Sequence, residues 1–283
     1  MADETTSSTI SELYTEIIAE AMFVANEKSL MRGLVKNYTI SGGGKSVEVP
    51  IYAAVSAAAV NEATDLSNTA INPSSVTITA SEIGIMTTLT DLARNSASRN
   101  VASDIGRLFG EAIAKKIDVD LIALFDSFSK IVGGADVAFS AAKLFEAVAE
   151  LRNLSVPSSD LACVVHPYIA YDMKSGVSNT FGAGSGATTD IGNEAMRSGF
   201  VGTVAGVPVY ESANISNTGT TGDYKGAIFH RDALGLAMMQ DLKIETQRDA
   251  SLRADEIVAT AVYGVAELND TYGVELMMDS SLL

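Results

Sequence analysis

Along residues 76–128 the chain changes its hydrophobic period once. Val76-Thr77-Ile78-Thr79 alternates apolar and polar side chains, as a half-buried strand does, and the strand-like pattern runs on to Thr90. A polar elbow follows at Asp91-Leu92-Ala93-Arg94-Asn95-Ser96. From Ser98 onward Val101, Ile105, Leu108, Phe109, Ala112, Ile113, Ile117, Leu121, Leu124, Phe125 and Phe128 recur at steps of three or four. Arg107, Glu111, Lys115 and Asp118 fall on the opposite face. The spacing predicts one amphipathic helix about 45 Å long, far beyond the roughly 10–14 residues of an ordinary globular helix. It reads as a beam across an extended subunit.

Other elements follow from the same patterns. Ser11 to Leu30 carries Leu13, Ile17, Ile18, Ala21, Met22 and Val24, a short helix capped by Thr9 or Ser11, on an N-terminal arm or packed within its own domain. Val35 to Ile40 and Val47 to Tyr52 flank Ser41-Gly42-Gly43-Gly44-Lys45 and read as a hairpin with a flexible tip. Residues 53–75 are small and polar and suit a long protruding loop. Ser140 to Leu154 is a second helix, with Ala142, Leu144, Phe145, Val148 and Leu151 on its buried face, Ser140 as N-cap and Pro157 beyond its end. Leu161 to Val165 is a fully apolar strand, followed by a helix-like stretch from Tyr168 to Lys174. Ser175 to Gly202, rich in Gly, Ser, Thr and Asn, is loop. Thr203 to Ser212 is a strand pair broken by a turn. Tyr224 to His230, Leu242 to Asp249, Asp255 to Leu268 (bent near Gly264) and Tyr272 to Met278 are strands.

The ordered set resembles the major capsid proteins of tailed bacteriophages. Ile83 to Thr90, the elbow, and Ile105-Gly106-Arg107-Leu108-Phe109-Gly110-Glu111-Ala112-Ile113-Ala114-Lys115-Lys116-Ile117-Asp118 are similar to that family's strand-to-spine-helix unit. Gly206 to Ser212 resembles a late axial-domain strand, Ala227 to Ala237 the segment returning to the peripheral domain, and Asp255 to Gly264 the final strand. The likeness extends from about Tyr38 to Leu276, and the order of segments carries it rather than any single motif. It implies an α+β, Hong Kong 97-like capsid fold. Residues 1–34 would be an N-terminal arm and 35–82 an extended β-hairpin loop. Residues 83–135 with 240–283 would be a peripheral domain with the spine helix, and 136–239 an axial domain.

Composition narrows the function. The chain has 283 residues, 47% of them hydrophobic, enough for a substantial core and too many for a disordered protein. It carries 19 basic and 35 acidic side chains, a net −16 with no basic run. Direct recognition of DNA or RNA, which leaves a basic footprint, is not expected. The single Cys163 excludes an internal disulfide framework and fits a reducing compartment. The acidic start, Met1-Ala2-Asp3-Glu4-Thr5, is unlike a signal peptide. Val49 to Asn61, the most apolar uncharged run, is shorter than the ~20 residues of a membrane span. A soluble protein with no membrane contact is expected, made and used inside a cell or carried out by something other than a signal peptide.

The motifs with catalytic associations fail on context. Gly44-Lys45-Ser46 ends like a phosphate-binding loop, but Thr39 stands where its first glycine belongs, and a strand-like Val47-Glu48-Val49-Pro50-Ile51 follows in place of a helix. His230-Arg231-Asp232 echoes a kinase catalytic loop, with Ala237 where the asparagine is needed. Cys163 and His166, three apart on an extended segment, leave opposite faces. Asp118 and Asp120 at i and i+2 of a helix do not face each other. Gly182 to Gly186 lacks the preceding strand of a dinucleotide fingerprint. The pairs Met238-Met239 and Met277-Met278 read as packing residues. No enzyme activity, cofactor or metal is expected.

The resemblance therefore implies a structural subunit that tiles into pentamers and hexamers of an icosahedral phage head around double-stranded DNA, without sequence-specific binding. Its partners would be itself, a scaffolding protein, a portal and a cement protein; it would assemble in the host cytoplasm and reside in the virion. With no scaffold-like segment before Ser11, a separate scaffold is expected. The assembly contact is placed at the tip, Ser41, Gly42, Gly43, Gly44 and Lys45. An encapsulin-type nanocompartment shell around enzyme cargo, and a soluble enzyme with an unrecognised site, remain as alternatives.

Overall fold

The computed structural model describes residues 29–41, 43–52, 55, 57, 59–61, 65, 68, 70–96, 101–173, 203–218 and 222–282. The helix read in Ser11 to Leu30 and the loop read in Ser175 to Gly202 lie outside these residues, apart from 29 and 30. Two β-sheets share one apolar core. A four-stranded sheet runs in the order β1 (Lys36–Thr39), β10 (Leu234–Asp249), β11 (Ala254–Glu267), β4 (Ser81–Thr90). A six-stranded sheet runs β5 (Ile131–Ala138), β12 (Gly273–Asp279), β9 (Asp223–His230), β6 (Leu161–Val165), β8 (Val207–Glu211), β7 (Thr203–Val204). A separate ribbon pairs β2 (Ser46–Ile51) with β3 (Ser74–Thr79).

Among the described residues the helical segments that join them are α1 (Met31–Leu34), α2 (Asp91–Ser96), α3 (Val101–Ala123) and α4 (Ala141–Asn153), and residues 167–173 are helical too, as read. The expected beam is α3, 23 residues or about 35 Å. It ends earlier than the periodicity implied, because the last turn tightens to a 3₁₀ turn over Leu124–Ser127 and Phe128 is extended. Phe109, Ile113, Ile117, Leu121, Phe125 and Phe128 form its buried stripe, as the spacing required. Leu108, placed by sequence on that stripe, is exposed, and Asp118, placed on the polar face, is buried. The elbow is itself helical: the Thr90 hydroxyl accepts the Ala93 N–H at 3.2 Å and caps α2. Ser140 takes the extended backbone of an N-cap ahead of α4 but gives no side-chain cap bond.

The hairpin expected across Ser41 to Lys45 does not form. β1 runs parallel to β10, with Lys36 opposite Gly235 and Thr39 opposite Met238, whereas β2 pairs with β3, Ser46 opposite Thr79 and Ile51 opposite Ser74. Both β1 and β2 find their partners far along the chain, where a local pattern carries no information. β1, assigned by sequence to the extended loop, thus belongs to the four-stranded sheet. The closing strand β12, grouped by sequence with residues 240–283 of the peripheral domain, lies inside the six-stranded sheet between β5 and β9.

β10 begins at Leu234, eight residues before the strand read at Leu242, because Leu234 to Ala237 are all buried and show no alternation to read. It turns into β11 through Asp249, whose Oδ1 accepts the Ser251 and Leu252 N–H groups at 2.8 and 3.2 Å. Gly264 in β11 marks a close backbone approach: a Cβ there would lie 2.3 Å from the Thr79 carbonyl oxygen. That approach seats the ribbon on the sheet over a second small core of Ile40, Val49, Ile78, Ala80, Ala237 and Leu268.

Candidate assembly surface

Ser41, Gly43, Gly44 and Lys45 are exposed in the connection from β1 to β2; Gly42 lies outside the described residues. Gly43 has φ +88°, a conformation that glycine adopts freely, with nothing within 4 Å of the position a Cβ would take. The Lys45 carbonyl accepts the Ala80 N–H at 2.8 Å and fixes where the connection enters the ribbon. The four described contact residues therefore lie at the surface at the base of the ribbon, joined to no other functional side chain among the described residues.

The far end of the ribbon is more informative. Val47 and Val49 face Ile78 and Val76 across the pairing and turn inward onto the second small core. Beyond Ile51 that protection ends, and Tyr52 and Ile71 are 65% and 57% exposed, with Val55 and Val60 exposed between them. Several exposed apolar side chains within one stretch of chain suit an interaction surface more than a solvated loop. The outer strand β4 adds Met86, and the corner beside it adds Leu92 and Leu252. That corner is held by Arg248, whose Nη1 and Nη2 donate to Asp91 Oδ1 and Oδ2 at 2.8 and 2.6 Å. The paired fork geometry keeps α2 against the end of β10.

The residues with chemical potential are each absorbed by structure. Lys45 and Ser46 lead into a strand, as read, and offer no helix N-terminus to phosphate. His230 is buried and its Nδ1 accepts the Asp232 N–H at 3.1 Å within a 3₁₀ turn. Arg231 donates through Nε to the Val35 carbonyl at 3.4 Å. Burial pushes the Cys163 thiol up to about 12, so it is an inert core residue. His166 stacks on Tyr224 with ring centroids 3.8 Å apart and accepts the Tyr168 N–H through Nδ1, and burial lowers its basicity. Asp120 takes Lys116 and the Tyr263 hydroxyl, the latter at 2.7 Å, while Asp118 faces the chain before α1. Gly182 to Gly186 lie outside the described residues.

An open cleft of about 310 Å³ is lined by Leu34, Ser158, Asp160, Pro208, Tyr210 and Arg231, with no nucleophile paired to a base. Among the described residues no three His, Cys, Asp or Glu side chains converge on a metal site, and no helix is long and apolar enough to cross a membrane. Sequence reading missed the buried carboxylates Asp172, Asp223 and Glu275. The signal available was an acidic residue inside an otherwise apolar strand, visible for Glu275 in Gly273-Val274-Glu275-Leu276-Met277.

A family model described as "Phage capsid protein" matches residues 73–275, which include α3 and strands of both sheets. Among solved structures, a chain of Mycobacterium phage Che8 is 22% identical with a TM-score of 0.66, over 82% of this chain and 84% of that one. The capsid structure of the cyanophage P-SCSP1u is 19% identical with a TM-score of 0.69, over 89% of each chain. The capsid of the empty GTA particle is 13% identical with a TM-score of 0.68, over 89% of this chain and 90% of that one. No curated protein matches by sequence.

Proposed function

The chain belongs to the phage capsid protein family and has the Hong Kong 97-like α+β fold, and from that premise we propose that it tiles into the pentamers and hexamers of an icosahedral head enclosing double-stranded DNA. The family match from residue 73 to 275 carries the reading, because it takes in α3 and strands from both sheets rather than one shared motif. The function is mechanical. Head-to-tail contacts close into rings, and contacts of roughly 1,600 Å² each accumulate when every copy touches several neighbours.

In this reading the ribbon of β2 and β3 laps onto a neighbouring copy through Tyr52, Val55, Val60 and Ile71, with Ser41 to Lys45 at its base also in contact. The peripheral domain is the four-stranded sheet with α3, and the axial domain is the six-stranded sheet. The net charge of −16 keeps packaged DNA from adsorbing to the wall. A scaffolding protein, a portal and a cement protein complete the assembly, in the host cytoplasm.

Negative-stain electron microscopy of gradient-purified protein, with and without neighbouring gene products, tests this. Uniform hollow shells that contain nuclease-protected DNA when made during infection are expected. Shells filled with an enzyme instead would mean a nanocompartment, and a small discrete oligomer under every condition would remove the shell reading.

A further inference from the structure

The other buried carboxylates have donors or a cation. Asp118 has three donors, and Asp172 takes the Ser280 hydroxyl and the Ser281 N–H at 3.2 and 2.9 Å. Glu275 lacks hydrogen-bond donors, but Lys225 Nζ stands 3.5 Å away. Asp223 and Asp279 are different. They sit directly opposite each other where β9 and β12 pair, the register that places side chains on one face of a sheet with Cβ atoms about 4.5–5.5 Å apart. Asp223 is fully buried; its Oδ1 accepts the Asp136 N–H at 3.0 Å, from an irregular stretch of β5 where Asp136 has φ +58°. Asp223 Oδ2 and Asp279 Oδ1 are both out of solvent and have no hydrogen-bond partner. Among the described residues neither carboxylate has a basic side chain within ion-pair reach, and Lys225, the next basic residue along β9, is taken by Asp126 and Glu275.

Two like charges directly opposite repel, and a buried carboxylate with an orphaned oxygen needs a compensating charge. The local backbone brings the carboxylate in. Gly222, at φ +102°, lies so close that a Cβ there would sit 2.1 Å from Asp279 Oδ1, and its carbonyl takes the Ser280 N–H at 2.9 Å. Only a glycine leaves room for the Asp279 carboxylate at that point.

We propose that Asp223 and Asp279 bind a calcium-class divalent cation, with backbone carbonyls and water completing its shell. Two carboxylates cancel the charge of one such ion. Calcium accepts six to eight oxygens in irregular geometry, whereas magnesium demands a near-ideal octahedron, so calcium is the better fit for oxygens set by a strand pair. With only two charged ligands the affinity falls in the weak range, a Kd on the order of 10⁻⁴–10⁻³ M.

Equilibrium dialysis of the full-length protein against radioactive calcium, with magnesium as competitor, tests the site. One ion per chain is expected, with affinity reduced at least tenfold in Asp223→Asn combined with Asp279→Asn and unchanged in Asp126→Asn. No saturable binding, or equal binding by the folded double variant, would overturn the proposal. Should that variant fail to fold, the single Asp279→Asn and the wild-type melting curve decide. Calcium, and not magnesium, raises the wild-type midpoint relative to a chelator, and Asp279→Asn loses that rise. A wild-type midpoint indifferent to calcium but falling as pH rises would mean that the pair shares a proton instead.

Discussion

The carboxylate of Asp118 accepts the backbone N–H of Met31 at 3.1 Å, joining the C-terminal part of the long helix to a residue 87 positions earlier. The same carboxylate takes the Leu30 N–H at 3.1 Å and the Ser29 hydroxyl at 2.9 Å. It caps the start of α1 from outside, since Leu30 supplies no side-chain cap of its own. Asp118→Ala would leave these donors buried without an acceptor. A loss of about 1–3 kcal/mol in chemical denaturation of the subunit is expected, with Asp118→Asn losing less. A change within ~0.5 kcal/mol, the range of ordinary surface substitutions, would show that water replaces the carboxylate.

Glu267 at the end of β11 should make the subunit less stable as pH rises. Burial first, then the neighbouring Asp270 carboxylate, push Glu267 from 4.5 up to about 7. Between those values the native state holds a proton that the unfolded chain has released. Its contribution to stability is therefore greatest below pH 4.5, falls through the window and is flat above about 7. Melting midpoints measured across this range should lose that component in Glu267→Gln, which keeps a neutral side chain throughout. An unchanged pH profile would place the titration elsewhere.

Ile113 lies on the buried stripe of α3, ten residues or more from either end of the helix. Ile113→Pro removes one backbone hydrogen bond and drives the ring into the preceding turn, at a cost of about 3 kcal/mol or more. No shells should appear on a gradient of this variant. Shells of normal size and yield would mean that assembly does not need an unbroken helix.

Gly264 and Gly33 form a matched pair of tests. A Cβ at Gly264 meets only backbone, the Thr79 carbonyl and the Ala80 nitrogen, so no side chain can swing aside. Gly264→Ala should cost about 1–3 kcal/mol and loosen the ribbon, visible as faster amide exchange at Ile78 and Ala80. Gly33 has open space around it and sits in α1, so Gly33→Ala should be neutral or stabilising by about 0.5–1 kcal/mol. Equal effects from both would refute the close-approach argument.

The parts of this fold that were legible in the sequence are those whose pattern repeats locally. The α3 stripe from Phe109 to Phe128 and the apolar strand at Leu161 to Val165 lie where periodicity placed them, and the helix over Ala141–Asn153 forms with Leu144, Val148 and Leu151 buried, although Ala142 and Phe145, read on the same face, are exposed. Partnership was not legible. β1 lies against β10 about 200 residues away, and nothing near Lys36 to Thr39 announces a parallel partner. Asp118 was misplaced because helical spacing assigns a face but cannot show that a neighbouring chain end supplies donors to that face. The glycines at 42–44 looked like a hairpin tip because their composition permits a tight turn, while the strands on either side, β1 and β2, belong to two different sheets. The orphaned oxygens of Asp223 and Asp279 required a register that only the pairing of β9 with β12 reveals.

That pairing also orders events during synthesis. β12 fills the place between β5 and β9, so the sheet begun at residue 131 cannot close until residue 279 has emerged from the ribosome. At about 5–20 residues per second, the intervening stretch leaves β5 without a neighbour for roughly 7–30 seconds and β9 with an open edge for roughly 2–10 seconds. The nascent chain is thus kept from presenting a finished subunit to its sister copies until β12 is in place, a built-in delay between being made and being able to polymerise.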